Sequence, residues 1–451
     1  MKKIQILIGV LFLSLVSCEI TDENIDQNNP NGASVNAGAV YPGMIAQTHR
    51  NMVAINARIA GIVAQQYEGL DAQQIAYDQY NIGEDDTDDY WDAALYGTGA
   101  MPDCYGIFTS NTEEVGALAK LYMAANLGLA TTMWGDVPYD NAFIGDQGNF
   151  NPTFDSQEDV YATIQRLLDE SIAGGVSSGI GEFYGVGSGG ADWEKTARAL
   201  KARYYIHLTS VDNTAAASAL AQAQLALSST SEQADFVYSS PAANSNPLFL
   251  FDNDRPGTLG VSPQLTSLMT GDPRLPVYTN VDGDFAGAGL FWGQADSPTP
   301  LISYWEVKFI EAEAIVRTSG TDADALAALQ AAVEANMLYV GVSQTDADTY
   351  TAALTLSGSM DDKIETIVTE KYKSSYGNAP IEAWTDFRRT KFPALTPNPS
   401  AVGGVNPSRI IPRRFLYPIS ERLTNGTNYN AAISAQGGHL LDNDMWAFPT
   451  N

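Results

Sequence analysis

Residues 118–139 read LAKLYMAANLGLATTMWGDVPY, and this stretch restricts the fold most firmly. Leu118, Leu121, Tyr122, Ala125 and Leu129 recur at three- and four-residue steps and so share one helix face. Ala124, Ala125, Gly128 and Ala130 are small and admit a second helix at close range. A helix over 118–133 would run roughly 24 Å at about 1.5 Å per residue. Gly135 suits a left-handed cap, and Pro138 lacks an amide donor and disfavours helix in the residue before it. A rigid rod stopping at a turn flanked by Trp134 and Tyr139 is a natural central pillar. Both aromatics are expected in the core beneath that turn.

The N-terminus carries an export pattern. Lys2 and Lys3 precede a mostly apolar run over 4–16, too short for a permanent membrane span, which ends in Leu15-Val16-Ser17-Cys18. Small residues before a cysteine at that place form a bacterial lipobox. Residues 1–17 are therefore expected to be removed and Cys18 to be lipidated, with the polar stretch 18–36 as a flexible tether. Glu19, Asp22 and Glu23 loosely resemble a surface-export signal. Cys104 is the second of two cysteines, so no intrachain disulfide is expected and it reads as a small buried hydrophobe. With 53 acidic against 24 basic side chains and a net charge of −29, the chain makes a poor partner for nucleic acid or an anionic membrane surface.

Residues 37–451 read as a single, mostly α-helical domain. Amphipathic helices are expected over 44–66 and 118–133, behind Ser156 and Asp192, and over 302–318, 325–337, 361–376 and 381–389. Their succession suggests tetratricopeptide-like helix pairs, although the strict consensus repeat is absent. Two stretches differ. Residues 67–90 interleave tyrosines with amides and carboxylates, and residues around 240–300 are rich in proline and glycine and read as a large irregular region. Phe249, Phe251, Leu265, Tyr278 and Trp292 within the latter argue against disorder.

Several motifs carry a family resemblance. WGDVPY at 134–139, GDPRLPVY at 271–278, EVKFIEAEAIVR at 306–317, EAWTDFRRTKFPAL at 382–395 and RRFLYPISERLTN at 413–425 follow a lipobox in order. Together they resemble the SusD/RagB family of outer-membrane nutrient-binding lipoproteins. The resemblance implies a SusD-like helical fold with an irregular ligand-binding part. It also implies a lipid-anchored protein on the cell surface that passes an oligosaccharide or peptide to a SusC-like TonB-dependent transporter in the outer membrane. The alternatives are an extracellular glycan hydrolase or a helical-repeat scaffold or adhesion protein.

The chain is expected not to be an enzyme and to use no cofactor or metal. His49, His207 and His439 lie far apart, and neither a zinc-ligand spacing nor G-x-S-x-G occurs. His207 reads as a satisfied core histidine. Gly185-Val-Gly-Ser-Gly-Gly follows no convincing strand, so it does not read as a nucleotide loop. The acidic run from Glu84 to Asp89 could take calcium, but it lacks the EF-hand glycine and terminal glutamate and reads more simply as a solvated loop. Arg388, Arg389, Arg413 and Arg414 are expected to pair with carboxylates.

Ligands of this kind need flat apolar surfaces beside polar groups, and sites favour loops on a rigid scaffold. That points to Tyr67, Tyr77, Tyr80, Phe291 and Trp292, with Asp71 and Gln73 as hydrogen-bonding neighbours, and to Trp292→Ala losing ligand without losing stability. Trp91 and Tyr96 belong to the core. For the anchor, Cys18→Ala is expected to release the folded protein from the membrane fraction, because stable anchoring needs acyl chains. Radiolabelled palmitate still entering Cys18→Ala would contradict the lipobox reading.

Overall fold

The structure is a computed structural model that describes residues 37–110, 113–176, 190–240, 244–287 and 289–450. The export signal, Cys18, the tether and the glycine run at 185–190, apart from its last residue, lie outside the described residues. Helices α1 (Ala37–Asn51) and α2 (Ile55–Val63) occupy the stretch expected as one helix over 44–66. Tyr90 makes the break. Its hydroxyl donates to the Asn51 carbonyl at 2.5 Å, the acceptor that the Ile55 amide would use in an unbroken helix. Strand β1 (Tyr67–Gly69) and the short helix α3 (Ala72–Asp78) follow, within a stretch expected as loop.

A π-helical segment, Tyr90–Tyr96, leads to α4 (Ala100–Ser110) and to the pillar, α5 (Glu114–Trp134). Apart from half-buried Lys120, the pillar is buried from Gly116 to Trp134, and it ends at Gly135, whose φ is +87°. Gly128 shows why small residues line it: a Cβ there would lie 2.1 Å from the Tyr204 phenol oxygen. Trp134 is fully buried, donates to the Leu416 carbonyl at 2.8 Å and meets Trp91 edge to face with centroids 5.1 Å apart. Trp91 is buried with it, while Tyr96 is half-buried and stacks on Trp91.

Next come α6 (Gln157–Gly174), α7 (Trp193–His207) and α8 (Ala215–Ala223). Ser156 and Asp192 cap α6 and α7, accepting from the amides of Asp159 and Lys195. Each helix from α4 to α8 packs on its successor, the arrangement expected of stacked helix pairs. Residues 240–300 hold more regular structure than expected. Strand β2 (Asp235–Phe236) precedes them, and α9 (Pro247–Asp254), β3 (Leu259–Val261), α10 (Pro263–Leu268) and β4 (Thr299–Pro300) lie within. Asn246-Pro247 and Ser262-Pro263 are helix starts: each polar side chain caps the helix and each proline takes the first helical position.

The last scaffold helices are α11 (Tyr304–Arg317), α12 (Asp322–Tyr339), α13 (Met360–Ser375) and α14 (Pro380–Thr390). Helix α11 packs against α8, α12 and α13. A buried charge network ties α7, α11, α13 and α14. Glu313 accepts from Arg389 at 2.5 and 2.6 Å, and Arg389 reaches Asp386 at 2.7 Å. Asp386 pairs with Lys371 at 2.9 Å, Glu306 with Arg203 at 2.6 Å, and Glu382 with His207 at 2.8 Å. His207, whose other ring nitrogen meets Tyr161, is thus a satisfied core residue, and Cys104 is buried and unpaired.

Two of the four arginines depart from the carboxylate pairing expected of them. Arg388 donates to the carbonyls of Thr132 and Arg413 and stacks over Trp384 at 3.8 Å. Arg414 donates to the Trp134 carbonyl at 2.7 Å. Thr132 and Trp134 belong to the last turn of α5, whose carbonyls have no helical partner, so the guanidinium groups finish the pillar. Trp384 is fully buried and donates to the Pro412 carbonyl at 2.7 Å. Trp134→Ala and Trp384→Ala are each expected to cost about 3–5 kcal/mol in chemical denaturation. A variant that melts within about a degree of the parent would contradict this packing.

Candidate functional site where β1 meets β3

Strand β1 pairs antiparallel with β3, with Tyr67 opposite Val261 and Gly69 opposite Leu259. The Leu70 and Asp71 amides both donate to the Thr258 carbonyl, and the Val261 amide donates to Gly283. The early loop and the proline-rich region therefore form one surface. Three non-glycine residues nearby adopt left-handed backbone: Gln65 (φ 58°), Ala72 (φ 50°) and Tyr80 (φ 60°). Such conformations cost about 1–3 kcal/mol each and gather at functional sites.

The aromatic rings singled out from the sequence lie beneath this surface. Tyr67, Tyr77, Tyr80 and Trp292 are each no more than 5% exposed. Tyr67 packs on Tyr376 and Phe285 with centroids 5.4 and 6.1 Å away. The Tyr77 hydroxyl donates to Asp86 at 2.9 Å, and Tyr80 accepts from the Asn398 amide at 3.1 Å. Trp292 lies so close to Gly377 that a Cβ there would fall 2.2 Å from the indole. Half-buried Phe291 packs on Trp292 and on Tyr339 with centroids 4.8 and 5.6 Å away.

These rings do not form the open stacking surface expected of them, because their large apolar area is spent in the core. The expectation that Trp292→Ala leaves stability untouched is corrected accordingly. Asp71 and Gln73 are exposed, and Gln73 donates to Asp86 at 3.1 Å. The structure thus gathers Tyr67, Asp71, Gln73 and Tyr77 and leaves Phe291 and Trp292 against α12.

The acidic run is engaged as well. Asp86 accepts from Tyr77, Gln73 and the Gly83 amide, Asp88 from the Ser420 amide, and Glu84 from Arg422 and Tyr429. Among the described residues no cluster of three or more His, Cys, Asp or Glu side chains is placed to hold a metal. Rather than a freely solvated loop, the run joins α3 to the C-terminal segment.

Sequence reasoning missed Arg58, Phe251 and Arg255. Half-buried Arg58 rises from α2 and lays its guanidinium 3.9 Å from the Phe251 ring centroid, on α9. Its Nε is buried with no hydrogen-bond partner. Burial holds its pKa down at about 10, and the neighbours acting on it are Tyr77, Tyr67 and exposed Arg255. The available signal was that Arg58 is the one charged residue in INARIAGIV, the whole of α2.

An open groove of about 1130 Å³ lies elsewhere, along α6 and α7, and includes Gln165, Asp169, Tyr205, Asp212 and Trp446 in its lining. Trp446 is 41% exposed. Several of the groove's charges are paired within the protein: Arg166 and Lys120 with Glu170, and Lys201 with Asp169. The β1–β3 surface differs in leaving a cation without an acceptor, and it is the stronger candidate.

The chain is 22% identical to a chitin-binding protein whose structure it matches with a TM-score of 0.75, over 92% of this chain and 100% of that one. A SusD/RagB family protein from Bacteroides thetaiotaomicron matches at 22% identity and a TM-score of 0.72, over 93% and 100% of the two chains. A SusD homologue from Bacteroides uniformis matches at 22% identity and 0.75, over 91% and 99%. None of the curated protein sequences matches. Among the described residues no helix is long and apolar enough to cross a membrane. Residues 30–418 match the SusD-like family described as starch-binding and associating with the outer membrane, and the chain belongs to that family.

Proposed function

We propose that this protein is a lipid-anchored, surface-exposed binding protein that captures a nutrient saccharide and delivers it to a SusC-like TonB-dependent transporter. The observation that carries the reading is family membership over nearly the whole chain, joined to the β1–β3 surface. The lipobox at Cys18 supplies the anchor, and the transporter supplies the passage that no described helix of this chain provides. Exposed Asp71 and Gln73 serve as ligand hydrogen-bonding groups, and the buried Tyr67, Tyr77 and Tyr80 hold the backbone that presents them. Binding without turnover separates this reading from a glycan hydrolase, which needs two carboxylates flanking the scissile bond.

The test is titration of the full-length protein in detergent with size-fractionated glycans. Asp71→Ala/Gln73→Ala is expected to weaken binding by at least about tenfold, near 1.4 kcal/mol, with an unchanged melting temperature. Unchanged affinity in that variant would move the site elsewhere, and release of shortened saccharides by the parent would favour the hydrolase.

A further inference from the structure

Half-buried Arg58 differs from the buried arginines of the described residues. Arg203, Arg274 and Arg389 each hold carboxylates, Arg413 pairs with Asp444, and Arg388 and Arg414 each fill backbone carbonyls. Arg58 donates no hydrogen bond to any described residue, its Nε is buried without a partner, and no carboxylate is among the groups acting on it. The Phe251 ring face attracts the cation and fixes the plane of the guanidinium, but it accepts no conventional hydrogen bond. The Tyr77 hydroxyl is turned to Asp86. Exposed Arg255 lies on the neighbouring loop, where its carbonyl accepts from the Thr258 hydroxyl and the Thr258 carbonyl receives the amides of Leu70 and Asp71.

A buried polar group without a partner is costly, and a guanidinium presents a planar fork that matches a carboxylate or sulfate. We propose that Arg58, laid on the Phe251 ring, receives the carboxylate or sulfate of an acidic saccharide bound over the β1–β3 surface. This deepens the binding-protein reading and rests on it. Phe251 against the cation, with 48% exposed Leu70 on the same β1–β3 surface, suits a sugar ring better than a fully solvated anion. The negative net charge opposes a polyanion at long range, but exposed charges are largely screened beyond about 8 Å in physiological salt, so contact chemistry decides.

The test uses the full-length protein in detergent and titrates five probes. They are oligogalacturonate, chondroitin sulfate oligosaccharides, malto-oligosaccharides, chito-oligosaccharides and a poly-glutamate peptide. At least one acidic saccharide is expected to bind. Arg58→Met keeps the aliphatic stem on Phe251 and is expected to weaken that binding by at least about tenfold, while Arg58→Lys restores part of it. The melting temperature of Arg58→Met is expected to stay within about two degrees of the parent, because no protein acceptor is lost. Acidic saccharide bound equally by parent and Arg58→Met overturns the proposal. So does a parent that binds only neutral saccharides, and that result leaves the binding-protein reading intact. Arg58-dependent capture of poly-glutamate without any acidic saccharide overturns it in favour of a peptide. A parent that binds none of the probes overturns the proposal and counts against the reading beneath it. A sharp fall in melting temperature with unchanged affinity would assign Arg58 to the fold.

Discussion

The packing of α7, α11, α13 and α14 leans on charges buried where water cannot solvate them. Glu313, Arg389, Asp386 and Lys371 run from α11 through α14 to α13, and Arg203, Glu306, Glu382 and His207 bring in α7. Burial alone would push the carboxyl groups of Glu313 and Glu382 up. For Glu313 the guanidinium groups of Arg389 and Arg317 outweigh that penalty, and for Glu382 His207 and Arg203 do, so both end well below the usual carboxylate range. A carboxylate depressed in the folded state stabilises it above the unfolded pKa and loses that contribution as acid protonates it. The network is therefore at full strength at neutral pH. Such pairs are weak sources of net stability but severe penalties when half removed, so they select one packing of the helices over others.

The same logic separates scaffold from site. Arginines finish the pillar by filling the last carbonyls of α5, and carboxylates of the acidic run tie α3 to the C-terminal segment. At the β1–β3 surface the protein left Arg58 on an aromatic ring and held Gln65, Ala72 and Tyr80 in left-handed backbone. Unmet hydrogen bonding of a cation and backbone strain meet at this surface, and such strain gathers at ligand sites.

Much of this was legible in the sequence. The pillar, its glycine stop, the caps at Ser156 and Asp192 and the helices after residue 302 follow from apolar spacing and end signals, and all form within a few residues of expectation. The short helices at Pro247 and Pro263 were hidden because Asn-Pro and Ser-Pro start helices and turns alike. The site was half legible. Alternating tyrosines and acids marked the right stretch, but a tyrosine's composition does not say whether its ring faces solvent, and Tyr67, Tyr77 and Tyr80 face the core. Arg58 was hidden for the opposite reason: a single arginine on an apolar helix reads as one that reaches out to water. Only the pairing of β1 with a strand far along the chain brings Phe251 and Arg255 to it.

A double-mutant cycle at Glu313 and Arg389 tests most directly the claim that matched buried charge fixes the scaffold. Glu313→Gln takes the shared carboxylate from Arg389 and Arg317, and Arg389→Met takes the guanidinium from Glu313 and Asp386. Urea denaturation at neutral pH is expected to show each single change costing about 3–5 kcal/mol, with the double variant recovering a large part of that loss. Losses that simply add, or single variants as stable as the parent, would show that the helices hold their arrangement without this network.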